Sequence, residues 1–284
     1  MSLQQTLATK TGPFPYEIFL HVIDALIAEA EEAPGKKIWF INHNHNVSTK
    51  LVIYDDDIAP KQDSFLRERF RTIRLPSQIN QKSRALVHQK FVRLPMQGNY
   101  DKGLSPVKGW VLPGVDYFIP YFARFTESLL VFERNFYQAV LLPTPAGCAL
   151  LERVERIFLP GADYLVEYNA TGIAIFSKMP NLKYILVKIG PVTDKIHEPM
   201  HPGIWPIDEE RFPGLAHWAA HSAYFNKMWR SFQRRGVRLY AVLCTHMDPV
   251  MELVSTRKGI RMRYFKPNCT CCKTGTTVDK LINL

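Results

Sequence analysis

The sequence predicts a mixed α/β fold: an N-terminal helix, a strand pair and a second helix leading into a βαβ-type strand-helix body. Three observations carry this. Between positions 15 and 33, Ile18, Phe19, Val22, Ile23, Leu26 and Ile27 recur as adjacent pairs four residues apart, which lines them along one side of a helix. The second half alternates apolar runs of strand length with helical stretches, the pattern of parallel strands joined by right-handed crossovers. A hydrophobic content of 46% over 284 residues can bury enough surface to offset chain entropy, so the chain is not of the disordered class.

The elements follow in order. Pro15 suits the first turn of the opening helix, where its missing N–H costs nothing, and Pro34-Gly35 stops it. "KKIWFIN" and "TKLVIYD" form a strand pair around the polar "HNHNVS". After a basic, mixed segment, Ile79, Leu86, Val87 and Phe91 predict a second helix over 79–91. "VERIFLP", "LKYILVKIG" and "VRLYAVLC" are three buried strands. A mostly helical connection, interrupted at Gly172, joins the first two. Before the third, Leu215, Trp218, Ala219, Ser222, Phe225, Trp229 and Phe232 define one long helix from about 214 to 235, with Gly236 as its stop. "IRMRYFKP" is the last strand. The uneven spacing of the strands argues against a regular solenoid. The expected division is a flexible stretch over 1–11, a module over 12–96, an α/β body over 97–267 and a cysteine-containing tail over 268–284.

Composition narrows the function classes. No run of about 18 apolar residues is present, so no membrane span is expected, and the first residues lack a signal-peptide core. Five cysteines, an odd number, do not form a disulfide framework; together these features predict an intracellular protein. The formal charge of +10 would favour acidic partners, yet the basic residues are dispersed among "RERFRTIR", "RSFQRRGVR" and "STRKGIRMRYFK". Solvated faces account for these runs better than a nucleic-acid footprint.

The sharpest motif match is His197-Glu198-Pro199-Met200-His201, which fits H-E-x-x-H. Zinc chemistry there needs both histidines on one helical face with the glutamate beside a metal-bound water. Pro199 and Pro202 deny the segment a helix, and no third histidine follows at a metzincin spacing. A proline-rich loop is expected, and the zinc-hydrolase alternative is disfavoured. Cys269, Cys271 and Cys272, with Cys244 or His246 as added ligands, lack the paired C-x2-C knuckles of structural zinc sites. His43 and His45 in the strand-pair loop have no further ligands. No P-loop, G-x-G-x-x-G or G-x-S-x-G occurs, so no catalytic residue, metal or cofactor is expected.

The first helix carries the most specific signal. "FPYEIFLHVIDAL" resembles the L-P-x-E-I-L-x-x-I-L-x-x-L start of an F-box, and "LPSQINQKSRALV" is similar to the L-x-V-N-R-E-S-R-x-x-A-L of an F-box-like fungal family with twin E-x-R motifs. The later "VERIFLP" and "MPNLKYILV" resemble that family's strand and F-P-x-L-x-x-L pattern, so the likeness runs over about 12–190. Two positions depart from it: Phe19 stands where arginine is expected, and Lys82 where glutamate is expected. Glu17 and Arg84 are therefore expected to pair across the two helices. The resemblance implies a non-enzymatic protein-binding function, with a Skp-type adaptor of a cullin–RING ubiquitin ligase as candidate partner. Pro15, Ile18, Phe19, Val22 and Ile23 would then anchor the helix in a partner's groove.

Overall fold

A computed structural model describes residues 16–32, 37–44, 50–54, 61–96, 108–120, 130–161, 165, 174–189, 204–210, 212–221, 223–242 and 249–264. In chain order the elements are α1 (Tyr16–Glu32), β1 (Ile38–His43), β2 (Leu51–Tyr54), α2 (Lys61–Ile79), α3 (Gln81–Lys90), β3 (Val92–Pro95), β4 (Lys108–Val111) and β5 (Tyr117–Pro120). Then follow α4 (Leu130–Leu141), α5 (Pro145–Leu151), β6 (Arg156–Leu159), β7 (Tyr184–Lys188), α6 (Pro213–Ala220), α7 (Ala223–Arg234), β8 (Arg238–Val242), β9 (Pro249–Thr256) and β10 (Gly259–Tyr264).

The fold is mixed α/β, as the alternation of strand and helix predicts. One eight-stranded sheet runs β10-β9-β8-β7-β6-β5-β1-β2, and β3 with β4 forms a separate pair. β1, β5, β6, β7 and β8 are mutually parallel neighbours, with antiparallel strands added at both ends. The expected strand pair is β1–β2, with Phe40 opposite Tyr54, and the three expected buried strands are β6, β7 and β8. β1 pairs with β5, so the strand pair of the 12–96 module is built into the body's own sheet.

Strand register decides which helices share a face. Trp39 opposes Phe118, Phe118 opposes Ile157, Ile157 opposes Ile185, and Ile185 opposes Leu239. On the same side Ala241 opposes Met251, and Ser255 lies two alternations further along β9. α2 reaches this face through the Arg69–Asp116–Trp39 contact, and α7 reaches it through Asn226, whose backbone carbonyl accepts from the Ser255 hydroxyl at 3.0 Å. The parallel strands follow one another in a single direction, and right-handed crossovers in such a sheet fall on one face. The contacts of α2 and α7 agree with that rule.

Local chemistry accounts for the helix ends. Asn80 caps α3 by accepting from Ser83 N at 2.8 Å while Ser83 Oγ accepts from Asn80 N at 3.1 Å, a reciprocal capping box. Thr144 caps α5 through Gly147 N, with Pro145 in the first turn. Gly236, at φ +83°, ends α7 as expected, and Val237 N donates back to the Phe232 carbonyl.

Three expectations change. The basic segment before α3 is a 19-residue helix, α2, which contains Pro76. The expected long helix over 214–235 is two helices, α6 and α7. His221 N–H closes onto the His217 and Trp218 carbonyls, tightening the last turn of α6, after which α6 packs on β10 and α7 on β9. β9 precedes the strand expected last and forms a hairpin with it, turning at Gly259 with φ +106°. Of the connection around Gly172, residues 174–178 are a short helical turn and most of the rest lies outside the described residues. The stretches 1–11 and 268–284 also lie outside them. Among the described residues no helix is long and apolar enough to cross a membrane.

Candidate functional site

The five residues expected on the docking helix separate into two sets. Ile23 is fully buried and continues through Ile27 and Ala30 into a core shared with Ile73 of α2, Val87 of α3, Phe91 and Leu112. Phe19 packs half-buried against the same cluster. Ile18 and Val22, one helical turn apart, are 46% and 45% exposed. The apolar stripe of α1 is wide enough to serve both sides: positions 19, 23, 27 and 30 anchor the helix, and 18 and 22 form an outward ridge. Pro15 lies outside the described residues.

Glu17 and Arg84 are both exposed, and the structure does not bring them together. Arg84 instead donates through Nε to the Ser77 carbonyl at 3.0 Å, which ties α3 back to the end of α2. Asn80 and Ser83, both within the "LPSQINQKSRALV" stretch, are the α3 capping box itself.

The ion pair that fixes the helical layer is Arg69–Asp116, which the sequence reading missed. Both side chains are fully buried. Arg69 grips the carboxylate in a fork, Nη2 to Oδ1 at 2.8 Å and Nη1 to Oδ2 at 2.5 Å, and Nη1 also donates to the Trp110 carbonyl at 3.1 Å. Asp116 further accepts from Trp39 Nε1 at 2.9 Å, Leu112 N at 2.9 Å and Lys37 N at 3.3 Å. One carboxylate thus joins α2, β1, the end of β4 and the start of β5. The only signal in the sequence is spacing: Arg69, Ile73 and Pro76 lie at four- and three-residue steps on the buried side of α2. Arg69 sits within "RERFRTIR", so this run cannot present all its cations to a nucleic acid.

The opposite sheet face carries a row of tyrosines and arginines. The Arg156 guanidinium lies 5.8 Å from the Tyr117 ring centre and 5.1 Å from that of Tyr184. Tyr184 meets Tyr240 edge-on at 6.0 Å, and Arg238 Nη1 donates to Tyr240 Oη at 3.2 Å. Burial pushes the Tyr240 phenol above its ordinary range, with Arg238 opposing. Tyr117, Tyr184 and Tyr240 are all buried, so within this chain the row is core rather than surface.

A cleft of about 360 Å³ is lined by Lys90, Leu112, Glu152, Arg153, Glu155 and Lys183 among others. Lys183 Nζ is 2.6 Å from Glu155 Oε2, so these two charges compensate one another. The cleft lies at the starting ends of β6 and β7, whereas open α/β sheets bind ligands beyond their carboxyl ends.

Of the metal candidates, His43 ends β1 opposite Leu51. His45, His197, Glu198, His201, Cys244, His246, Cys269, Cys271 and Cys272 lie outside the described residues. Among the described residues no group of three or more His, Cys, Asp or Glu side chains is placed to hold a metal. No protein-family model, curated protein or solved structure matches the chain.

Proposed function

We propose that this chain is a non-catalytic protein-binding protein, F-box-like in its opening helix, and that it docks through the outer ridge of α1. The observation that carries the reading is the exposed pair Ile18 and Val22 on a helix whose other side is anchored by Ile23, Ile27 and Ala30. Apolar side chains one turn apart on a held helix suit insertion into a complementary groove. This ridge is narrower than the docking face drawn from sequence, because Ile23 belongs to the chain's own core. The partner implied by the opening motif is a Skp-type adaptor of a cullin–RING ubiquitin ligase.

The test is a binding titration of the purified chain against a Skp-type adaptor. Saturable binding by the wild type and its loss in the Ile18→Asp/Val22→Asp variant, with an unchanged circular dichroism spectrum, supports the proposal. Failure of the wild type to bind, or equal binding by the variant, overturns it.

A further inference from the structure

We propose that His217, in the last turn of α6, and His221, the residue that caps its C-terminal end, form a bidentate site for a borderline divalent transition ion, Zn²⁺ or Cu²⁺. The two are four residues apart, which places both imidazoles on one side of the helix. Both are exposed, and their ring centres are 4.4 Å apart with the planes inclined by 41°. His221 remains on the helical turn because its N–H reaches back to the His217 and Trp218 carbonyls.

The hydrogen bond of the second ring selects the ligand atom. His221 Nδ1 is 2.8 Å from the His217 carbonyl, which can only accept, so in the neutral ring Nδ1 is the donor and Nε2 the nitrogen left to face an ion. Histidines that bind metals are commonly oriented this way, one ring nitrogen donating to a backbone carbonyl while the other faces the ion. A cation there also lies at the carbonyl-rich, negative end of the α6 dipole. Imidazole ligands select zinc and copper over magnesium and calcium.

The site differs in sequence from the His197–His201 motif. Both are His-x3-His, but the intervening residues here are Trp218, Ala219 and Ala220 on a formed helix, with no proline among them. It also lacks the motif's catalytic carboxylate: Trp218 follows the first histidine, buried, with Nε1 donating to the Leu165 carbonyl at 3.2 Å. The pair therefore binds without hydrolytic chemistry. Two protein ligands leave two positions of a tetrahedral zinc open to water or to donors from another molecule.

The experiment is calorimetric titration of the full chain with Zn²⁺ and, separately, Cu²⁺, repeated on His217→Gln, His221→Gln and the double variant. The chain's other histidines are retained throughout, so differences report on this pair. The wild type is expected to bind one more equivalent of ion than the double variant, and each single variant to lose that chelated equivalent. Electron paramagnetic resonance of the Cu²⁺ complex is expected to show two coordinated nitrogens that fall away in the double variant. Identical stoichiometry and affinity in wild type and double variant, both folded by circular dichroism, would overturn the proposal.

Discussion

Removing one partner of the Arg69–Asp116 pair is the sharpest test of how the helical layer is fixed to the sheet. In Arg69→Met the Asp116 carboxylate keeps Trp39 Nε1 and the Lys37 and Leu112 amides, but loses its only forked cation in a site that excludes water. Breaking a buried pair from one side costs about 3–5 kcal/mol, because the remaining charge stays desolvated. Asp116→Asn leaves Arg69 buried and belongs to the same class. In urea, with a slope of about 2–3 kcal/mol/M for a chain of this size, a loss of about 4 kcal/mol lowers the unfolding midpoint by about 1.3–2 M. The double variant Arg69→Met/Asp116→Asn removes both charges and should be more stable than the sum of the single losses predicts, by about 0.5–3 kcal/mol. Equilibrium unfolding followed by circular dichroism and by tryptophan fluorescence reads all four proteins. Single losses under about 1 kcal/mol, the range of an exposed pair, would refute the reasoning, and so would strict additivity.

The two sides of α1 should separate in the same assay. Ile23→Ala should cost about 2–5 kcal/mol, and Ile18→Ala should stay within about 0.5 kcal/mol. Equal losses would contradict the assignment of ridge and anchor. Asn80→Ala removes the acceptor of the α3 capping box and should cost about 1 kcal/mol, with a midpoint unchanged from wild type as the contrary result. Tyr240 gives a pH dependence. Its phenol, raised by burial, ionises first in the unfolded chain, so its contribution is intact below pH ~10 and is lost as pH rises through the folded value. Tyr240→Phe should flatten that alkaline decline, and equal slopes in both proteins would count against it.

What the sequence made legible was what periodicity encodes. The strand pair, the three parallel strands and the stripe of Phe225, Trp229 and Phe232 are strings of like residues at fixed spacing, and the structure places each in the main core. α2 escaped because its charged residues and Pro76 hide a buried side that, over 69–79, consists of Arg69, Ile73 and Pro76. That side includes Arg69, whose burial is intelligible only once Asp116, 47 residues later, is beside it. The break between α6 and α7 leaves the apolar spacing almost continuous, and Trp218 and Phe225 still touch across it at 5.2 Å between ring centres. A pattern that survives a helix break cannot announce it. On α1 the sequence gives a stripe of apolar residues without its orientation, so only packing distinguishes Ile18 from Ile23.

The same logic bears on the two His-x3-His spacings in the chain. A motif names residues at a spacing, and the spacing has meaning only on the backbone that realises it. His197 and His201 have the spacing with prolines around them, whereas His217 and His221 have it on a helix whose final carbonyl orients one ring. The glutamate that makes the first match look catalytic is what the second lacks, so a helical His-x3-His here supports binding and not hydrolysis. The ion site proposed at His217 and His221 and the docking ridge proposed at Ile18 and Val22 belong to separate helices, α6 and α1. Substituting one pair should therefore leave the other function intact, and a loss of both would mean that the α1 layer and the sheet edge beside β10 share one folding unit.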